Sequence, residues 1–228
     1  MWKLGITAAA GTLAALLAGQ AQAAAPVCTG TTTNLGLTGS ATIGQLTGGN
    51  CVSAGDKIFG SVTTSGAITG VGTASFSALT LQGDVTVGFQ GTVTPNSTGN
   101  ITYSVAINPA LAGNFRIHDL QKDFTLNANP SGSNATATLT GTAGGLNFTC
   151  TRTANPNSSS CPVTQNFPTL LNDVTVSQTI TTGANAVVTA ITDTISQQAA
   201  AVPEPASLAL LGGALAGFGL WYRRRFSA

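Results

Sequence analysis

Apolar and polar residues alternate along much of the middle of the chain. Val85, Val87 and Phe89 alternate with small or polar residues, and residues 100–109 repeat this period of two. Such alternation predicts strands with one buried and one exposed face. The linking sequence TPNSTGN is rich in turn-forming residues, so these two strands are expected to form a hairpin.

Similar alternation continues toward the C-terminus, where Thr and Val suit half-buried strands. No long stretch of the middle region has a helical period. We therefore expect a mainly β fold, an antiparallel β-sandwich formed by residues 24–198. Residues 29–77 are rich in Gly, Thr and Ser, so irregular strands or poor order is expected there. The further predicted strands lie in residues 115–129, 135–148 and 173–198.

The body of the chain has very few charges. Charged residues make up 7% of all 228 residues. The four basic and six acidic side chains of the body give a net charge of about −2, so it lacks a basic surface for nucleic acid. An intracellular enzyme usually carries about 25% charged residues, so an exported protein is favoured. The ten charged residues of the body are Asp56, Lys57, Asp84, Arg116, Asp119, Lys122, Asp123, Arg152, Asp173 and Asp193.

The N-terminus has the layout of a secretory signal peptide. Lys3 precedes an apolar run, and the small residues Ala21 and Ala23 follow it with one residue between them. We expect residues 1–23 to be removed by signal peptidase, with the cut after Ala23 or Ala25. The alternative is an uncleaved membrane anchor, for which the apolar run is short.

The C-terminus combines an extended segment, an apolar segment and a basic cluster. Pro203 and Pro205 flank Glu204, and prolines at this spacing favour an exposed, extended peptide. Residues 206–222 carry no charge. They predict a transmembrane helix of roughly 26 Å, at about 1.5 Å per residue. Basic residues that follow a membrane helix favour the cytoplasmic side. These stop-transfer residues are Arg223, Arg224 and Arg225.

This arrangement resembles the PEP-CTERM sorting domain of Gram-negative bacteria from Val202 to about Arg225, within an expected sorting segment of residues 199–228. The resemblance implies an exosortase as processing partner, with Pro203, Glu204 and Pro205 as recognition residues. It implies a precursor held in the inner membrane with a periplasmic body, then release to the cell surface or extracellular matrix. It also implies a setting of exopolysaccharide or biofilm. The alternative is a plain membrane anchor preceded by a proline-containing linker.

Four cysteines in an exported chain favour disulfides. They are Cys28, Cys51, Cys150 and Cys161, which allow three pairings. Pairing sequence neighbours requires the least long-range geometry, and Cys150 and Cys161 flank a predicted strand, turn and return strand. No two cysteines have the C-x-x-C spacing typical of zinc sites, so no metal is expected.

Candidate catalytic groups are few. His118 is the only histidine, and it lies in a charged cluster with Asp119 and Asp123. No nucleophile motif accompanies His118, so a solvated strand surface with salt bridges is expected there. The sequence predicts no catalytic site and no cofactor.

The expected function is a structural or adhesive role in the exopolysaccharide layer, with exopolysaccharide as a further partner. A secreted enzyme acting on polysaccharide is an alternative, which requires Asp119, Asp123 or His118 to converge in a cleft. A glycan-binding module is a third candidate. Such modules normally expose Trp or Tyr, whereas Tyr103 is the only Tyr or Trp of the body.

Overall fold

Strands dominate the described part of the chain. A computed structural model describes residues 28–80, 83–108, 110, 114–200 and 215. Within these residues there is one 3-10 helix, Ile43–Leu46, besides the strands. The strands are β1 (Thr32–Asn34), β2 (Thr38–Thr42), β3 (Cys51–Ala54), β4 (Lys57–Gly66), β5 (Ile68–Ala78), β6 (Val85–Val93), β7 (Thr98–Ile107), β8 (Phe115–Ala128), β9 (Ala135–Ala143), β10 (Leu146–Ala154), β11 (Ser158–Ser159), β12 (Val163–Leu171), β13 (Asp173–Thr182) and β14 (Ala186–Ala199).

The strands form two sheets. The first has eight strands in the order β1-β3-β4-β7-β13-β9-β10-β11, and the second has six in the order β12-β8-β14-β6-β5-β2. Neighbouring strands are antiparallel except for β1 and β3, which are parallel. The predicted mainly β, sandwich-like fold is therefore confirmed.

The core lies between the two sheets because both contribute their buried residues to one cluster. Phe59 and Tyr103 of the eight-stranded sheet meet Phe76 and Phe89 of the six-stranded sheet. Ring centroids are 5.0 Å apart for Phe59 and Phe76, and 5.1 Å apart for Phe89 and Tyr103. Tilted aromatic contacts at this range join the sheets by dispersion and quadrupole attraction.

Two sequence predictions about strand pairing and order are wrong. The predicted hairpin is absent, since β6 pairs with β5 and β14 whereas β7 pairs with β4 and β13. The turn between β6 and β7 leads from one sheet to the other, and Thr182 holds it by donating to the carbonyl oxygen of Thr94 at 2.6 Å. The expectation of poor order in residues 29–77 is also wrong, because β4 and β5 pair with the long strands β7 and β6. The alternative expectation of irregular strands is confirmed, since the pairing register shifts within both β4 and β5.

Both disulfides lie toward the edges of the eight-stranded sheet. Cys28 is joined to Cys51 of β3, and Cys150 of β10 is joined to Cys161. The expected neighbour pairing is therefore present. The turn after Cys150 returns as β11, so the predicted strand, turn and return strand are also observed. Each disulfide lies close to a short edge strand of the sheet, which is paired on one side only.

Candidate interaction surface

The outward positions of the eight-stranded sheet form a neutral hydroxyl and amide face. On β7, β13 and β9 the buried apolar positions alternate with Thr, Ser or Asn. The period of two sends the apolar set to the core and the polar set to solvent. The outward residues of the five central strands are Thr63, Ser65, Thr98, Asn100, Thr102, Thr175, Ser177, Thr179, Thr181, Thr136, Thr138, Thr140, Thr142, Asn147, Thr149, Thr151 and Thr153.

Strand register aligns these side chains in rows that cross five strands. One row runs from β4 to β10 through Ser65, Asn100, Thr179, Thr140 and Thr149. Neighbouring strands are about 4.8 Å apart and alternate residues about 6.8 Å apart along a strand. The face therefore measures roughly 19 Å by 20 Å. None of its residues is charged.

Cross-strand hydrogen bonds orient the hydroxyl groups of this face. The Thr179 hydroxyl donates to Asn100 Oδ1 at 2.7 Å, and the hydroxyl oxygens of Thr138 and Thr151 are 3.1 Å apart. A hydroxyl has one donor and two acceptor positions, so each member of such a pair keeps hydrogen-bonding capacity for an outside partner. The face is thus an ordered array of neutral donors and acceptors.

The interior, in contrast, contains a charged network that bridges both sheets. Lys122 Nζ of β8 lies 3.0 Å from Asp193 Oδ1 of β14 and donates to Gln178 Oε1 at 3.3 Å. Tyr103 and Gln178 of the other sheet donate to Asp193 Oδ2 at 2.6 and 3.2 Å. The ammonium also lies 4.6 Å from the centroid of the Phe148 ring. These contacts compensate both charges at full burial.

Burial sets the proton affinities in this network. Desolvation lowers the pKa of Lys122 below its ordinary value, and the nearby Asp193 carboxylate opposes that shift. Desolvation also raises the pKa of Tyr103 well above its ordinary range, and the charge of Asp193 adds to the effect. The Tyr103 hydroxyl therefore keeps its proton and acts as a donor.

A second buried lysine lies at the start of β4. Lys57 Nζ donates to Asp56 Oδ1 at 2.9 Å, to the carbonyl oxygen of Gly83 at 2.8 Å and to Gln197 Oε1 at 3.0 Å. Desolvation lowers the pKa of Lys57, and the carboxylates of Asp56 and Asp84 oppose the shift. Its three acceptors account for all three ammonium protons.

The charged cluster expected on one strand surface is divided by the fold. Lys122 is wholly buried, which corrects the expectation of a solvated salt-bridge patch. Asp123 instead pairs with Arg152 of the other sheet, with a shortest distance of 2.6 Å. His118 Nδ1 lies 2.9 Å from Asp119 Oδ2. Each carboxylate thus has its own partner.

The sequence predictions did not include the interior network, although the alternation of apolar and polar residues places both of its charged residues on the core side. Lys122 lies two residues from Leu120 and two from Phe124, which are both buried. Asp193 has the same relation to Ile191 and Ile195. A period of two therefore places both charges on core-facing positions.

Tyr103 is also wholly buried and offers no sugar platform. Across the described ranges, no three His, Cys, Asp or Glu side chains are grouped as metal ligands. In that same part of the chain, no helix has the length and hydrophobicity needed to cross a membrane. Several sequence predictions lie outside the described residues: the signal peptide (1–23), the helix at 206–222 apart from residue 215, and Pro203, Glu204, Pro205, Arg223, Arg224 and Arg225.

Comparison with known proteins identifies the C-terminal segment. Residues 201–225 match the family model described as PEP-CTERM protein-sorting motif. The chain carries a PEP-CTERM sorting motif. The motif implies an exported protein with a C-terminal sorting tail that an exosortase processes, as the resemblance led us to expect. The match covers this tail and does not extend to the sheets.

Comparison with solved structures gives a weaker result than the match of the tail. The chain has a weak similarity to the solved structure titled "Structure of TmCBM61 in complex with beta-1,4-galactotriose at 1.4 A resolution", with a TM-score of 0.30 and 10% identity. That similarity covers 61% of this chain and 89% of that one. At this score it carries no argument about function. No curated protein sequence matches the chain.

Proposed function

We propose that this protein is a structural, non-enzymatic component of the extracellular polysaccharide layer. It is exported as a precursor held in the inner membrane and is released by an exosortase to the cell surface or matrix. The outer face of the eight-stranded sheet then adheres to neutral polysaccharide. The observation that carries the adhesive role is the uncharged array of Thr, Ser and Asn across five strands.

The chemistry of the face matches that of a neutral glycan. Polysaccharide hydroxyl groups donate and accept hydrogen bonds, as the side chains of this face do. Each such bond contributes only about 0.5–1.5 kcal/mol net, so a single contact is weak. A long chain contacting many rows gains affinity through multivalency. This mode of binding does not require an aromatic platform.

The adhesive role is tested by a matched pair of triple variants in the full chain. One replaces Thr138, Thr140 and Thr179 with Val, and the control replaces Thr86, Thr192 and Thr194 with Val. In both sets two residues alternate on one strand and the third lies directly opposite one of them, and all six side chains are half-buried. The control set lies on the six-stranded sheet, so the two variants differ chiefly in the sheet they alter.

Binding to exopolysaccharide from the producing cells is then measured by co-sedimentation. Loss of three hydrogen bonds of about 1 kcal/mol each should weaken binding of the face variant by at least about tenfold. The control should stay within about twofold of wild type. Equal binding by both variants would contradict the adhesive role of this face.

The sorting role is tested separately, through the mass and location of the mature protein. Wild type should lose its C-terminal tail and leave the cell. A Glu204→Ala variant, and wild type in cells lacking the exosortase, should both keep the tail and remain in the inner membrane. A tail that persists in wild type would instead indicate a plain membrane anchor.

A further inference from the structure

The buried ion pair of Lys122 and Asp193 holds an amine nitrogen beside a carboxyl group. The two residues lie directly opposite each other on β8 and β14, and their side chains meet with Nζ 3.0 Å from Oδ1. Both side chains are fully buried. The carboxyl carbon of Asp193 is one bond beyond Oδ1, so the fold holds the amine nitrogen next to the group that it would have to attack.

The surroundings provide what amide formation requires. Leu120, Phe124 and Phe148 are buried around the pair on the same strands or across the core, so solvent has little access. Tyr103 and Gln178 both direct donors at Oδ2 of Asp193. Two fixed donors on one carboxyl oxygen form the arrangement that stabilises negative charge in acyl transfer.

We propose that Lys122 and Asp193 condense spontaneously to an intramolecular isopeptide bond, which joins β8 to β14 and releases one water molecule. The link spans 71 positions of sequence. It also secures the strand that directly precedes the sorting tail, since β14 ends at Ala199 and the matched motif begins at residue 201. A covalent bond there would retain β14 in its sheet when force acts on the tail.

The reaction balances without any other reagent. The Lys122 ammonium first passes one proton to Asp193 Oδ1 along their hydrogen bond, leaving an amine and a carboxylic acid. Burial favours that amine, because desolvation lowers the pKa of Lys122. The Nζ lone pair then attacks the carboxyl carbon, and the C=O electrons move onto Oδ2, where Tyr103 and Gln178 donate hydrogen bonds.

The intermediate then loses water. A second Nζ proton moves directly to Oδ1, the oxygen that lies 3.0 Å from Nζ in the ion pair. The bond between the carboxyl carbon and Oδ1 breaks, Oδ1 departs as water, and Oδ2 becomes the amide oxygen. An ammonium and a carboxylate thus become one amide and one water, with no change of oxidation state.

The other buried lysine lacks this arrangement. Lys57 contacts Asp56, its immediate neighbour in sequence, so a bond between them would close a small ring and join no strands. Among the described residues, no donor contacts Asp56 Oδ2, in contrast to the two donors on Asp193 Oδ2. Lys57 therefore serves as an internal control.

The test is peptide mapping of the full-length protein after reduction and alkylation. Trypsin should fail to cut after Lys122, and a branched species should join the peptide containing Lys122 to that containing Asp193. Its mass should be about 18 Da below the sum of the unjoined peptides, the mass of one water. Complete cleavage after Lys122 with no mass loss would overturn the proposal, whether or not any variant folds.

Variants assign the roles of the side chains. Lys122→Arg and Asp193→Ala should abolish the branched species, whereas Lys57→Arg should retain it. Tyr103→Phe removes an oxyanion donor and should slow bond formation by about 10²–10³-fold, measured as branched fraction against time after synthesis. A branched peptide that maps to Lys57, or that persists in Asp193→Ala, would also overturn the assignment.

Discussion

The interior of this protein contains charged side chains, whereas the outer face of its eight-stranded sheet contains none. Of the ten charged residues of the body, Asp56, Lys57, Lys122, Asp173 and Asp193 are buried. The outer face of the eight-stranded sheet is polar and has no charge. In most proteins charged side chains are almost never fully buried, and they populate the surface instead.

The low charge content of the body is therefore most marked on this outer face, whereas the core contains half of the charged residues. A neutral surface gives up the solubility that net charge provides. It also removes the long-range repulsion and the salt dependence of charged contacts. Such a surface suits close packing against a neutral hydrated polymer. Within the interior, Lys122 and Asp193 lie directly opposite each other on β8 and β14, so a slip of register between these strands would leave both charges unpaired.

The largest expected effect concerns the interior. Replacing Lys57 with Met leaves the Asp56 carboxylate buried without its ammonium partner. The free energy of unfolding should fall by about 3–5 kcal/mol, measured by urea denaturation. Adding Asp56→Ala to this variant should restore part of the loss, because the uncompensated charge is then gone. A single variant within about 0.5 kcal/mol of wild type would show that the interior charges do not matter to stability.

The disulfides provide the next effect, because they fasten the sheet that carries the neutral face. Replacing Cys150 and Cys161 with Ser should cost about 3 kcal/mol in the chain-entropy model. Replacing Cys28 and Cys51 with Ser should lower the free energy of unfolding slightly more, because that disulfide joins residues 23 positions apart and the other joins residues 11 positions apart. Thermal unfolding of the two variants should preserve this order. The reverse order would indicate that the longer loop is already constrained when unfolded.

A smaller effect depends on pH and tests one buried carboxyl group. Asp173 is buried, and desolvation raises its pKa. In the part of the chain that the structure describes, its Oδ1 has no hydrogen-bond partner. Above the raised pKa the folded protein carries a poorly solvated carboxylate, whereas below the ordinary value of about 3.9 both states are protonated. Asp173→Asn should therefore raise the free energy of unfolding by about 1 kcal/mol at pH 7 and not below pH 3.9. A gain independent of pH would exclude this ionisation as its cause.

The smallest effect concerns one pair on the outer face. Thr102 and Ser177 lie directly opposite each other, with hydroxyl oxygens 3.1 Å apart. A double-mutant cycle with Ala at both positions should give a coupling energy of about 0.2–1 kcal/mol. A larger coupling would mean that the face is built for stability rather than for contact with a partner.

The alternation of apolar residues was sufficient to predict the strands and the class of fold, but not their partners. The alternation of Val85, Val87 and Phe89 is the same whether the next strand pairs with this strand or lies in the facing sheet. The turn between the two strands is hydrogen-bonded to Thr182, a residue distant in sequence, and the local pattern does not contain that contact. Likewise the Gly- and Thr-rich strands β4 and β5 acquire order from their long neighbours, which local composition does not reveal.

The candidate surface was predictable in composition only. Abundant Thr and Ser indicated a neutral surface, whereas the alignment of Asn100, Thr179 and Thr140 in one row depends on the register of three strands distant in sequence. The interior pair was predictable position by position, since Lys122 and Asp193 each fall on the apolar phase of their strand. Their meeting was not, because β8 and β14 are separated by five other strands along the chain.

The salt dependence of polysaccharide binding tests most directly whether the uncharged outer face of the eight-stranded sheet binds the polysaccharide. Wild type and the Thr138, Thr140 and Thr179 variant would be titrated with exopolysaccharide at about 0.1 M and about 1 M NaCl, where the screening length falls from about 10 Å to about 3 Å. The account predicts that wild-type affinity is the same at both concentrations and that the variant binds at least about tenfold more weakly at each. Wild-type binding that collapses at high salt, or that survives the three substitutions, would contradict it.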